Sequence, residues 1–160
     1  MNFEDYVREH HRRYAEFAAT IRSIIDAALK ARPDVPRPQH KQDRAKSVDS
    51  LRRKLQVRGL HASQSIETDI KDLAGCRLVF YTNTDAERFM SSRIIFENFE
   101  IDQDNTRVHY PVGENVPPAQ LYRALHYVVS LKPDRIALPK YAGFAGMRCE
   151  IQFQTTLNHA

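Results

Sequence analysis

The stretch Met147–Thr155 limits the fold more than any other part of the chain. It reads Met-Arg-Cys-Glu-Ile-Gln-Phe-Gln-Thr, an unbroken alternation of apolar and polar side chains. Alternation with period two predicts a half-buried β-strand, because successive side chains point to opposite faces of a sheet. Met147, Cys149, Ile151 and Phe153 then share a face that belongs to a core, and Arg148, Glu150, Gln152 and Gln154 share the other. That second face sets a carboxylate between amides on what should be an interior strand. By alternation alone it reads either as a solvated outer face or as a catalytic one.

Helical spacing dominates the other end of the chain. Tyr14, Phe17, Ile21, Ile24 and Ala28 recur at steps of three and four within an amphipathic helix from about Phe3 to Leu29. Pro33, Pro36 and Pro38 end it and make a stiff linker. Ser47 is a good N-cap for a second helix that runs to about Arg58 and stops at Gly59. Gly75 opens a strand through Cys76, Leu78 and Phe80. Thr84 with Glu87 reads as a capping box that starts the next helix. Phe99 to Gln103 and Thr106 to Val112 are strand candidates, Gly113 to Ala119 a proline-bearing loop, and Tyr122 to Leu131 a strong strand. Ala137 to Ala145 is expected to be a short helix. Two helices followed by strands interleaved with helices predict an α+β or mixed α/β layer fold, a mixed β-sheet flanked by helices.

With 160 residues, 42% apolar and 28% charged, the chain has material for one domain with a real core, and disorder is excluded. A net charge of +4 and a pI near 9.2 suit an anionic partner such as a nucleotide or RNA. Cys76 and Cys149 lack metal-ligand spacing and do not make a disulfide framework, which points to a reducing, cytoplasmic setting. No apolar run is long enough to span a bilayer, so no membrane partner is expected. The adjacent His10 and His11 fall on different helix faces and make no zinc site, and there is no Gly-rich Lys-Ser/Thr phosphate loop.

Asp72 stands just before the Gly75 strand. A carboxylate there is either a turn residue or, with Glu150 on a neighbouring strand, a ligand for Mg²⁺, which takes few carboxylates together with water and phosphate oxygens. Taken singly, Tyr122 and His126 can be core residues, and Arg52, Arg53 and Lys54 a solvated helix face. Four segments together resemble one family. Asp72-Leu73-Ala74-Gly75-Cys76-Arg77 resembles the Asp-x-x-Gly-x-Arg segment of RelA/SpoT synthetase domains. Arg44-Ala45-Lys46-Ser47, with Ser50 and Lys54, resembles their Arg-x-Lys-Ser helix entry. Tyr122-Arg123-Ala124-Leu125-His126 is similar to their Tyr-x-Ser-x-His strand. Cys149 to Thr155, with Asn158-His159-Ala160, is similar to their Glu-x-Gln-x-Arg-Thr…His-Ala-Trp segment. The matches keep the family's order from Arg44 to Ala160.

The resemblance implies a nucleotidyltransferase (polymerase-β-like) fold and an ATP pyrophosphokinase that moves the β,γ-diphosphate of ATP to the 3′-hydroxyl of GDP or GTP. It implies that Asp72 and Glu150 are catalytic and hold Mg²⁺. It assigns Arg44, Lys46, Ser47, Lys54 and Arg77 to ATP, and Tyr122, His126, Gln152 and Asn158 to the acceptor. Gly113 to Leu121 carries no Lys or Arg, Ala124 stands for Ser, and Gln154 for Arg. This thinned charge leaves open a tRNA 3′ end as the acceptor, with a second copy or an antitoxin protein as a partner. A nucleotide-binding module without catalysis is the reading from another class. The family continues past Ala160 with Trp and further helices, so a truncated single domain is expected, with an N-terminal helix at about 3–30 and a catalytic core at about 40–160.

Overall fold

In a computed structural model, residues 1–106 and 126–156 are described. Among them five strands form one mixed sheet: β1 (His40–Ala45), β2 (Ala74–Phe80), β3 (Phe99–Ile101), β4 (His126–Leu131) and β5 (Cys149–Thr155). Their order across the sheet is β1-β2-β5-β4-β3, with only β2 and β5 parallel. The last strand is therefore inserted at the centre, between β2 and β4.

The alternation along 147–155 does what it predicts. Cys149, Ile151 and Phe153 are almost completely buried, while Glu150, Gln152 and Gln154 on the other face are half-buried. Phe153 stacks against Phe80 and meets Phe89 and Tyr127 edge-on or tilted. Each fully buried aromatic of this kind stabilises the fold by about 1.5–3 kcal/mol. Helix α2 (His11–Ala31) lies on this face, with Tyr14, Phe17, Ile21 and Ile24 buried, as the three-four spacing requires. Ahead of it come a single turn, α1 (Phe3–Asp5), and a π-helical segment at Tyr6–His10, so the expected continuous helix is interrupted. The interruption lets Tyr6 reach across the chain: its hydroxyl donates to the Lys46 carbonyl at 2.5 Å.

Helix α3 (Val48–Val57) has the expected cap, Ser47, and ends before Gly59, whose φ of +68° favours glycine. After α4 (Ile66–Asp69) and β2 comes α5 (Asn83–Ser91). Its cap is Thr82, not Thr84: Thr82 has the extended backbone a cap needs, and its side chain accepts from the Asp85 N–H at 3.1 Å. Helix α6 (Ile94–Asn98) leads into β3, which is shorter than the expected Phe99–Gln103. The helix expected at Ala137–Ala145 lies earlier, as α7 (Pro133–Ile136), because Pro133 at its first turn starts it. Only one 3₁₀ turn, Ala142–Phe144, follows. Thr106 to Val112, the Gly113–Ala119 loop and the 122–125 part of the expected Tyr122–Leu131 strand fall wholly or largely outside the described residues.

Strand β1 has no counterpart in the sequence reading. Its Lys41 and Asp43 face α2 and pair there with Asp26 and, at 3.0 Å, with Arg22. Charges on both faces of an edge strand hide it from any apolar pattern and keep the edge from pairing with other chains. No helix among the described residues is long and apolar enough to cross a membrane.

Candidate active site

Strand register sets two rows of side chains on the face opposite the aromatic core. In one row Arg44, Gly75, Glu150 and Val128 are successive neighbours on β1, β2, β5 and β4. In the next row stand Gln42, Arg77, Gln152 and His126. Residues paired across a ladder point to the same face, so residues up to about a hundred positions apart in sequence share one surface.

Asp72 sits at the mouth of this surface, just before β2. Lys46 Nζ lies 2.9 Å from its Oδ2 and Lys54 Nζ 2.9 Å from its Oδ1. Lys46 is fixed by its backbone, which donates to the Leu73 carbonyl at 2.8 Å and accepts from Tyr6. Lys54 is carried on α3, which Ser47 caps by accepting from the Ser50 N–H at 3.2 Å. Burial pushes the Asp72 carboxyl up, but hydrogen bonds from the two lysines outweigh it and hold the group below the usual carboxylate range. Asp72 is thus a carboxylate with two ammonium partners, 18% exposed.

Glu150 is held in a similar way by two side chains of the same face. His126 Nδ1 donates to its Oε1 at 2.9 Å and Gln152 Nε2 to the same oxygen at 2.7 Å. Burial raises its carboxyl, yet these two hydrogen bonds leave it below its ordinary value, while the charge of Asp72 pulls it back up. The two carboxylates feel each other because they line one cavity of about 580 Å³, shared with Lys54, Arg58, Lys71, Asp104, Asn105, His126 and Gln152. They lie on one side of the sheet, as the sequence reading expects.

A second cavity of about 300 Å³ adjoins this one through Asp72 and Gln152, which line both. Arg44 and Arg77 line it with Gln42, Gly75 and Cys76. The Arg77 Nε is buried and has no hydrogen-bond partner among the described residues. The planar Arg77 guanidinium borders the cavity, and its face can stack on a flat ligand.

No three of the described His, Cys, Asp and Glu side chains cluster as a metal cage. Two carboxylates opening on one cavity are nonetheless the donor set Mg²⁺ uses when substrate phosphates and water complete its shell. The sequence reading missed Gln42, Arg58, Lys71, Asp104 and Asn105. Arg58 was within reach, since it stands four residues after Lys54 and therefore one turn along the same helix face. Tyr122 and Asn158 lie outside the described residues.

A family sequence model described as "Region found in RelA / SpoT proteins" matches residues 43–160. No curated protein sequence matches the chain. Among solved structures, small alarmone synthetase 1 from Bacillus subtilis is 20% identical with a TM-score of 0.70, covering 97% of this chain and 74% of its own. Small alarmone synthetase 2 from Bacillus subtilis is 18% identical with a TM-score of 0.64, covering 95% and 73%. A GTP pyrophosphokinase family protein from Streptococcus pneumoniae is 20% identical with a TM-score of 0.61, covering 98% and 71%. At such identities the likeness shows a shared fold, here nucleotidyltransferase-like. The family match runs through the lysines, both carboxylates and both arginines just described, and by it the chain belongs to the RelA/SpoT family.

Proposed function

We propose that this chain is an ATP pyrophosphokinase that makes a (p)ppGpp-type alarmone from ATP and GDP or GTP. The observation that carries the reading is the pair Asp72 and Glu150 on one cavity, with an arginine-lined slot at one side and two lysines on Asp72. Family membership supports it. Small alarmone synthetase 1 from Bacillus subtilis has been solved bound to AMPCPP and to its product pppGpp, which supports the same assignment of ligands.

Arg44 and Arg77 sandwich the adenine of ATP, and Lys46 and Lys54 turn from Asp72 to the phosphates. The acceptor base stacks on Tyr122, with His126, Gln152 and Asn158 around its ribose and phosphates. Glu150, kept ionised by His126 and Gln152, accepts the proton of the 3′-hydroxyl. The freed oxygen attacks the β-phosphorus, the bond from that phosphorus to the α,β-bridging oxygen breaks, and AMP leaves. Mg²⁺ held by Asp72 and Glu150 would supply charge neutralisation for the phosphate oxygens. Asp72 and Glu150 open on the larger cavity beside Lys54, Arg58 and Lys71, which supports a site shared by such an ion and the phosphates.

The test is incubation with ATP labelled in its γ-phosphate together with GDP, GTP or deacylated tRNA. Label in GDP or GTP, lost in Asp72→Asn and Glu150→Gln, supports the proposal. Label at the tRNA 3′ end selects the tRNA-modifying alternative. Nucleotide binding without transfer to any acceptor selects the module without catalysis.

A further inference from the structure

We infer that Gln42 reads the base of the donor nucleotide and selects adenine over guanine. The inference rests on the proposed donor slot between Arg44 and Arg77 and adds to it a residue outside the family motifs.

The β1/β2 register makes the floor of that slot a square. Arg44 stands opposite Gly75, and Gln42 opposite Arg77. The arginines therefore occupy one diagonal, and Gln42 and Gly75 the other, with all four lining the same cavity. A flat base held between the two guanidiniums must run along the second diagonal. Its two ends are unlike. The Gly75 end is open: a Cβ there would meet nothing nearer than the Glu150 carbonyl at 3.9 Å, so the surrounding protein does not itself require glycine. That end leads to Asp72, Lys46 and Lys54, where the phosphates belong. The edge of the base that carries the 6-substituent and N7 then faces Gln42.

Gln42 is exposed and makes no side-chain hydrogen bond among the described residues, whereas the Gln152 amide is committed to Glu150. A carboxamide offers one acceptor beside one donor. That pair complements the N6–H and N7 of adenine, where guanine presents two acceptors. The arginines stack on any base and cannot make this choice. An enzyme whose acceptor is a guanine nucleotide needs one that keeps the acceptor out of the donor slot.

The experiment displaces labelled α,β-methylene-ATP from the full chain with unlabelled α,β-methylene-ATP or α,β-methylene-GTP, so that only the donor slot is read. Wild type, Gln42→Ala and Arg77→Ala are compared. The wild type should prefer the adenine analogue, and Gln42→Ala should reduce that preference by about tenfold or more. Arg77→Ala should weaken both analogues and keep the preference. If Gln42→Ala leaves the preference unchanged while Arg77→Ala weakens binding, the role of Gln42 is overturned and the slot stands. If the wild type does not bind the labelled analogue, or Arg77→Ala has no effect, the slot itself is wrong and the role of Gln42 falls with it.

Discussion

Lys54 Nζ and Asp72 Oδ1 lie 2.9 Å apart, and Lys46 Nζ holds the other oxygen of the same carboxylate at the same distance. The proposed metal ligand is thus already paired with the side chains proposed to bind phosphate. A divalent cation must compete with two ammonium groups, while a polyphosphate draws those groups away. Metal and nucleotide should therefore bind cooperatively, each strengthening the other by the same factor. In Mn²⁺ titrations followed by electron paramagnetic resonance, α,β-methylene-ATP should tighten Mn²⁺ binding by roughly tenfold or more. Lys54→Ala should tighten nucleotide-free Mn²⁺ binding and shrink that gain. Equal Mn²⁺ affinity with and without the analogue would contradict the exchange.

His126→Phe removes one of the two hydrogen bonds that hold the Glu150 carboxyl down. Its pKa should rise. Because the base acts in its ionised form, the acid limb of the pH dependence of kcat/KM should move to higher pH. ATP affinity should stay near wild type, since the donor slot is formed by other residues. An unmoved acid limb would separate His126 from the base.

The same carboxyls tie stability to pH. Asp72 and Glu150 are both held below their ordinary values of 3.8 and 4.5. A depressed carboxyl adds stability above its unfolded value and loses it as pH falls through the folded one. Tm should thus drop as pH falls from about 5 to about 3, and Glu150→Gln should flatten part of that drop. A variant with the full wild-type slope would show that Glu150 is not linked to folding.

Arg77→Ala tests whether the unpartnered guanidinium serves the ligand or the fold. Its Nε has no hydrogen-bond partner to lose among the described residues, so stability should change by no more than about 1 kcal/mol. Affinity for the adenine analogue should fall by roughly tenfold, the worth of one stacking contact of about 1–3 kcal/mol. Denaturant unfolding and ligand titration on the same sample separate the two effects.

What could be read from the sequence is what depends on near neighbours. The alternation of β5 and the Ser47 cap of α3 are local patterns, and both hold. The β1 strand could not be read, because its inward charges are matched by Arg22 and Asp26 on α2, partners no window on β1 contains. The π-helical segment at Tyr6 likewise answers to Lys46, 40 residues away. For the site, alternation turned Glu150 off the core, but only the resemblance joined it to Asp72. The β2/β5 pairing that makes them neighbours is a long-range choice. Gln42 carried no motif and became visible only through its register with Arg77.

The most direct measurement is the co-product. Purified protein is incubated with ATP, Mg²⁺ and GDP or GTP, and all nucleotides are quantified by mass spectrometry. Transfer of a diphosphate predicts AMP formed one for one with an acceptor that has gained two phosphates. ADP as the co-product, or an acceptor heavier by a single phosphate, would contradict pyrophosphate transfer by this site.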